Sequence, residues 1–263
     1  MLLLYHDANI FGGEKVMGTE YTVVVKGFFI VIDGVDGSGK ATQTKLLVER
    51  LRKEKKRVET IDFPRYYHNF FGKFIGQCLA GEHGDFVKLS PHIASVLYAA
   101  DRFESKPQIE SWLSEGKIVV ADRYASANQI HQGGKIRDAR KARAFLKWLE
   151  VMEFEVFKIP RPDLIVYLDV PVAFSMRMTR EARAKGGKRY LGNRVDQHES
   201  SSVHLEDARL RALSIVKKGS AQWKKVECVR DGVLLTPEDI HDEVARFALK
   251  ELKRSRGHGN RNV

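Results

Sequence analysis

The chain has 263 residues, 43% of them hydrophobic, and a net charge of +11. This length suits one α/β domain with an appendage, and the apolar fraction is enough for a sizeable core. Its two cysteines, Cys78 and Cys228, have no paired spacing, and no apolar run reaches membrane-spanning length; a disulfide scaffold, a zinc site and a membrane span are therefore not expected, and a reducing, cytoplasmic setting is.

Residues 1–26 read as an extension ahead of the core fold. Met1-Leu2-Leu3-Leu4 is apolar, but no basic segment precedes it and His6, Asp7 and Asn9 follow closely, so it makes a poor signal peptide. Met17 is an alternative start. The first strand is predicted over 21–32, and Gly34-Val35-Asp36-Gly37-Ser38-Gly39-Lys40-Ala41-Thr42 follows it, ahead of a helical pattern over 40–55. Strand, glycine-rich loop and helix start, with Lys at the end of the loop, is the P-loop arrangement. Small residues let successive backbone N–H groups cradle phosphate oxygens, and the helix N-terminus adds partial positive charge. Lys40 can reach the outer phosphates of a bound nucleotide. The motif wants a hydroxyl after the Lys as a magnesium ligand, and this chain has Ala41. Thr42 points about 100° further around the helix, so it is not an obvious substitute.

A second strand is predicted over 58–61, followed by Asp62-Phe63-Pro64-Arg65-Tyr66. Phe63 offers an aromatic face, Pro64 stiffens the loop and Arg65 is a bidentate phosphate donor; a plain loop with a core Phe is the competing reading. A helix over 91–115 starts at Ser90-Pro91. In it Tyr98 and Arg102 share a face, which suits stacking on a nucleobase and bonding to an exocyclic oxygen, or else simply an exposed Arg over a half-buried Tyr. The third strand, 118–121, ends in Asp122-Arg123-Tyr124. An Asp there in a P-loop fold typically holds magnesium, often through water, and Arg123 suits a phosphate of the acceptor. Asn128, His131 and Gln132 follow, with side chains that can donate and accept toward a base edge.

Helical patterns follow over 139–155, 171–185, 202–218 and 237–253, with strands over 164–168 and, less clearly, 226–229. Arg177, Arg180, Arg183, Lys185, Lys188, Arg189 and Arg194 surround Gly186-Gly187, with Glu181 the one acid among them before Asp196 and Glu199. A basic flap with a glycine pivot is what phosphoryl transfer uses as a lid, here about 177–199. Residues 251–263 read as a disordered, solvated basic tail. Continuous apolar strands alternating with helices predict an α/β, doubly wound parallel sheet covered on both faces, which binds ligands at the carboxyl ends of its strands.

Together these motifs, with Gly81-Glu82-His83-Gly84-Asp85, Ala100-Asp101-Arg102 and Asp196-x-x-Glu199, resemble thymidylate kinase, of the nucleoside monophosphate kinase group of P-loop proteins, over about residues 27–250. The resemblance implies a three-layer P-loop fold with a mobile lid. It implies that Asp36 approaches the sugar 3′-hydroxyl, that Tyr98 sits where the family usually stacks a Phe on thymine, that Arg102 bonds thymine O4 and Asn128 the N3 edge, and that Arg65 and Arg123 hold the acceptor phosphate. His131 falls where the family usually carries Tyr or Phe near the sugar 2′-carbon. The P-loop lacks the Arg that some members carry, so lid arginines, chiefly Arg180 and Arg183, supply that charge. Magnesium falls to Asp122, Asp36 and Glu199, with phosphate and water. A homodimer through helices is implied.

The reading is a cytoplasmic, magnesium-dependent transfer of the γ-phosphoryl of ATP to dTMP. Lys40, Arg123, Arg180 and Arg183 are its catalytic groups. A kinase of another nucleotide or nucleoside, a P-loop binder without turnover and a basic nucleic-acid-binding protein are the alternatives.

Overall fold

The computed structural model describes residues 27–184, 202–219 and 221–259. Five parallel strands form the central sheet: β1 (Phe28–Gly34), β2 (Val58–Asp62), β3 (Ile118–Asp122), β4 (Leu164–Asp169) and β5 (Trp223–Glu227), in the order β2-β3-β1-β4-β5. A short antiparallel pair, β6 (Val229–Arg230) and β7 (Val233–Leu234), follows. The helices are α1 (Lys40–Lys53), α2 (Phe70–Leu79), α3 (Pro91–Ser114), α4 (Ala125–Ala127), α5 (Ala139–Val151), α6 (Val172–Ala184), α7 (Ser202–Lys217) and α8 (Pro237–Gly259). Two of them widen into π-helical turns: α4 continues as Asn128–Gln132 and α5 as Met152–Val156.

The apolar strands explain the layers. All seven residues of β1 are buried, and alternate side chains enter different cores. Phe28, Ile30 and Ile32 pack with Leu47 and Leu51 of α1 and Val244 and Leu252 of α8. Phe29 and Val31 pack with Ile109 of α3, Ile130 of the turn after α4, and Leu205 and Ala208 of α7. The sheet is thus covered on both faces, as its composition predicts. Arg209 of α7 donates Nε to Asp169 Oδ1 at the end of β4 (2.7 Å), tying that layer to the sheet.

Three expectations change. The stretch after β3, given no element in the sequence reading, holds the short helix α4 passing into the π-helical turn. The segment before α3 holds an unpredicted helix, α2, whose Ile75, Cys78 and Leu79 pack against Ala94. The basic tail does not begin as disordered chain at 251: α8 runs on to Gly259. Its core-facing residues Ile240, Val244, Ala248 and Leu252 have already nucleated the helix, so each further residue costs only propagation, and cations favour a helix C-terminus. Residues 260–263, residue 220, the extension 1–26, including 21–26 of the expected first strand, and residues 185–201, which hold the expected lid from 185 to 199, lie outside the described residues. Among the described residues no helix is long and apolar enough to cross a membrane.

Candidate active site

β1 sits at the centre of the sheet, and the chain switches sides around it on going from β3 to β4. A cavity of about 480 Å³ opens at that switch point, beyond the carboxyl ends of β1, β2 and β3. The P-loop forms one end of it. Gly37 (φ 73°) and Gly39 (φ 84°) take left-handed backbone conformations that other residues rarely adopt. A Cβ at Gly37 would also stand 2.2 Å from the Ser175 carbonyl oxygen of α6, so α6 closes directly over the loop. Lys40, 7% exposed, donates Nζ to the Val35 carbonyl at 2.8 Å, which folds the ammonium back over the loop it terminates.

Two cations and three carboxylates share this end. Arg123, directly after β3, has φ 66°, a left-handed turn that is costly for a non-glycine residue. It aims the guanidinium across the P-loop, where Nη2 bonds Asp36 Oδ1 and Nη1 donates to His131 Nε2 at 2.9 Å. His131 therefore accepts at Nε2. Burial alone would lower the Arg123 guanidinium; Asp36, then Asp33 and Asp122, outweigh it and hold Arg123 above its usual pKa. Burial, then neighbouring Arg123, pull Lys40 down to about 8 against the attraction of Asp36, Asp122 and Asp33. Asp33 and Asp122 are both pushed above the usual carboxylate range by burial, against the pull of the same two cations. Asp33 is fixed, accepting from Gly34 N (2.8 Å) and Ser126 Oγ (2.5 Å). The Asp122 side chain makes no hydrogen bond or ion pair with any described residue.

The other end of the cavity is built from α3 and the turn after α4, backed by Glu153 of the turn that continues α5. Tyr98, Arg102, Asn128, His131 and Gln132 all line it. The π-helical turn carries three of these at once. Arg102 and Glu153 form a buried ion pair, Nε donating to Oε2 at 3.0 Å and Nη2 to Oε1. Asn128 Nδ2 donates to the same Oε1 at 2.8 Å and to the Ser95 carbonyl at 3.1 Å. Tyr98 packs edge-on against Phe86, with centroids 5.9 Å apart. Phe63 lines the cavity floor against Tyr124, at 5.5 Å.

Not every expected residue arrives. Gly34, Val35 and Ser38 form the body of the loop but do not line the cavity, whereas Asp36, Gly37, Gly39, Lys40, Ala41 and Thr42 do. Arg65 is turned away: Nη1 donates to Gln108 Oε1 at 3.0 Å on α3, and the residue lines no part of the cavity. Arg180 is exposed on α6, its Nε donating to the Met176 carbonyl at 3.4 Å, while Met178, Thr179 and Ala182 are the α6 residues that reach the cavity. The Arg183 side chain and all of Glu199 lie outside the described residues. Asp36, expected at the metal, is engaged by Arg123.

Several partners went unread in the sequence. Asp101 Oδ2 accepts from Arg65 N at 3.0 Å, and its Oδ1 and carbonyl accept from Asn69 Nδ2, so it anchors the loop after β2. Asp62 lines the cavity beside Asp122, its register partner in β3. Glu153 had a signal: it stands four residues after Leu149 and eleven after Ala142, a carboxylate on the buried stripe of an amphipathic helix.

No three His, Cys, Asp or Glu side chains among the described residues converge to hold a metal unaided. The residues nonetheless fit a magnesium ion that arrives with nucleotide. Acid outnumbers base at the P-loop end, and Asp122 has free oxygens beside Lys40. Mg²⁺ in nucleotide sites keeps several waters and takes few protein ligands.

The thymidylate kinase family model matches residues 32–229, well over half of the chain. The chain is 35% identical over 230 residues to a probable thymidylate kinase of Pyrococcus abyssi, covering 87% of this chain and 98% of that protein. It is 39% identical over 156 residues to a probable thymidylate kinase of Pyrococcus horikoshii, covering 58% of this chain and 70% of the relative. Over 219 residues it is 26% identical to the thymidylate kinase of Homo sapiens, covering 83% and 88%. The P-loop, the Arg123 bridge and the residues at the far end of the cavity lie within the matched span, and the chain belongs to the thymidylate kinase family.

Proposed function

We propose that this chain phosphorylates dTMP to dTDP, taking the γ-phosphoryl group from ATP. The observation that carries the reading is the single cavity that joins a phosphate-binding loop to a buried Arg–Asn pair, with Arg123 between them. Such a cavity has the parts for two substrates in line: a donor on the loop and an acceptor with its phosphate at Arg123 and its base at Arg102 and Asn128.

The protein has little covalent work to do in phosphoryl transfer; it aligns the two substrates and stabilises charge spread over the equatorial oxygens. The loop N–H groups and Lys40 hold the donor phosphates. Arg123, held by Asp36 and His131, is already oriented toward the acceptor phosphate, so little orientation has to be achieved during reaction. Asp36 stands where the acceptor sugar hydroxyl would meet it. Tyr98 supplies the face against the base. Magnesium bound with the donor would be held by Asp122, phosphate oxygens and water, and would supply charge neutralisation for the transferred group. Arg180 faces solvent here, so its contribution, with that of Arg183, belongs to a closed lid.

Two finer readings accompany this one. Ile93, Val96 and Phe103 are exposed on one side of α3, and Val156 is exposed at the end of α5; an apolar strip of this kind suits a homodimer through α3. Two free, buried thiols, Cys78 and Cys228, suit the cytoplasm. Chromatography of mixtures of ATP, dTMP and Mg²⁺ with the protein tests the activity: equimolar ADP and dTDP are expected, and ADP without dTDP would contradict it.

A further inference from the structure

The buried Glu153 has no place in the phosphoryl-transfer machinery, yet it organises the far end of the cavity. Glu153 is 1% exposed and Arg102 is 2% exposed. A guanidinium has five N–H donors; two go to Glu153, which leaves three for a ligand. Asn128 is more constrained. Both hydrogens of its Nδ2 are used, one by Glu153 Oε1 and one by the Ser95 carbonyl. A carboxylate and a carbonyl can only accept, so the side-chain amide cannot be flipped without opposing oxygen to oxygen. Its remaining group is Oδ1, an acceptor. Both residues line the cavity, so it meets a base with donors from Arg102 beside an acceptor from Asn128.

A pyrimidine with a 4-keto group and a protonated N3 offers the complement, acceptor O4 beside donor N3–H. A 4-amino pyrimidine offers the reverse, and a buried donor facing a donor is strongly rejected. We infer that Glu153 is a positioning residue that sets the base selectivity of this site: by holding Arg102 and orienting the Asn128 amide, it makes the pocket read 4-keto pyrimidine nucleotides and refuse 4-amino ones. The inference rests on the reading that the acceptor base binds at Arg102 and Asn128. Glu153 itself touches no substrate.

The test measures kcat and KM for dTMP and dCMP with wild type, Glu153→Gln and Glu153→Asp. A glutamine has one acceptor oxygen and one NH2: with the oxygen in the Oε1 place the NH2 opposes Arg102 Nε, and with it in the Oε2 place the NH2 opposes Asn128 Nδ2 and Arg102 Nη2, so either way part of the fixed pattern is released. In Glu153→Gln the dTMP-to-dCMP ratio of kcat/KM should fall by about tenfold or more, through KM for dTMP rather than kcat. KM for ATP should stay within about twofold, because the donor end is untouched. Glu153→Asp keeps the charge and the fold but loses reach, and should fall in the same direction by less. A folded Glu153→Gln that keeps the wild-type ratio overturns the role of Glu153 alone. A wild type that does not phosphorylate dTMP, or takes dCMP equally well, overturns the reading on which it rests. Wild type with N3-methyl-dTMP gives an arm that needs no variant to fold: binding about tenfold or more weaker than dTMP is expected, and equal binding would mean that Asn128 Oδ1 does not face N3.

Discussion

The two ends of the cavity are built in opposite ways. At the phosphate end the working groups are neighbours in sequence: Asp36 and Lys40 lie in one loop, and Asp122 and Arg123 end one strand. At the base end Arg102, Asn128 and Glu153 come from three separate helical segments and meet only in the fold. The phosphate end is charged and uneven, its two cations outnumbered by the carboxylates Asp33, Asp36 and Asp122. At the base end the ion pair is buried, and both Glu153 oxygens are taken by Arg102 and Asn128. Phosphates are recognised by any correctly placed donors; a base edge needs a fixed pattern of donor and acceptor. A contiguous motif can provide the first, but only tertiary packing can provide the second.

Removing a group from the phosphate end should therefore act on rate, and removing one from the base end on selectivity. The largest effect is expected for Lys40→Ala, with turnover falling by about 10²–10³-fold or more in a folded protein. A folded variant with an undiminished ATP-dependent rate, in a coupled ADP assay, would break the comparison at its first term. Arg102→Ala should weaken dTMP by about 2–3 kcal/mol, the range for a charged hydrogen bond, while KM for ATP changes little. It should also lower thermal stability, since Glu153 is left as an uncompensated buried charge. Equal losses for ATP and dTMP would mean that the two ends are not separable.

The two ends should also separate by pH. Lys40 titrates at about 8 in the folded protein, lowered from 10.5 chiefly by burial. Its ammonium is present below that value, so kcat/KM for ATP should fall as pH rises through about 8. The stability effect has the opposite sign. The buried ammonium costs stability below about 8, and the cost is relieved as pH rises from there toward 10.5, where the unfolded chain also loses its proton. The dTMP-to-dCMP ratio should stay flat across about pH 7 to 9. A ratio that follows the ATP term would contradict the separation.

How much was legible follows the same division. The P-loop, Asp122-Arg123 and the alternation of buried strands with helices could be read because each is local: an apolar run, then small or charged residues where the run stops. Arg102 and Asn128 were legible as candidates but not as a unit, since nothing local joins positions 102, 128 and 153. The Glu153 signal, an acid on the apolar stripe of α5, looks like any helix-face Glu until its partner is known. Helix α2 was missed because Gly72 and Gly76 lower its propensity, while its stability comes from Ile75, Cys78 and Leu79 against α3. Arg65 carried a plausible phosphate-binding signature, but its guanidinium is bonded to Gln108 instead. The helical continuation past 251 depends on packing that begins at Ile240, upstream of the basic residues themselves.

A smaller effect is expected from Ala41→Ser, which restores the hydroxyl that P-loops usually present to magnesium. Ala41 is exposed on the cavity wall, so the added oxygen has room. The free magnesium needed for half-maximal rate should fall a few-fold with kcat little changed, because water otherwise fills the position. No change in the magnesium dependence would mean that Asp122 and the phosphates hold the ion without this position.

The central claim, one cavity whose ends read phosphate and base separately, is tested most directly by a panel of nucleoside monophosphates with ATP and Mg²⁺, following coupled ADP release. The account predicts turnover of dTMP and dUMP, with kcat/KM for dCMP and dGMP lower by about 10²-fold or more. Comparable kcat/KM for dTMP, dCMP and dGMP would contradict it.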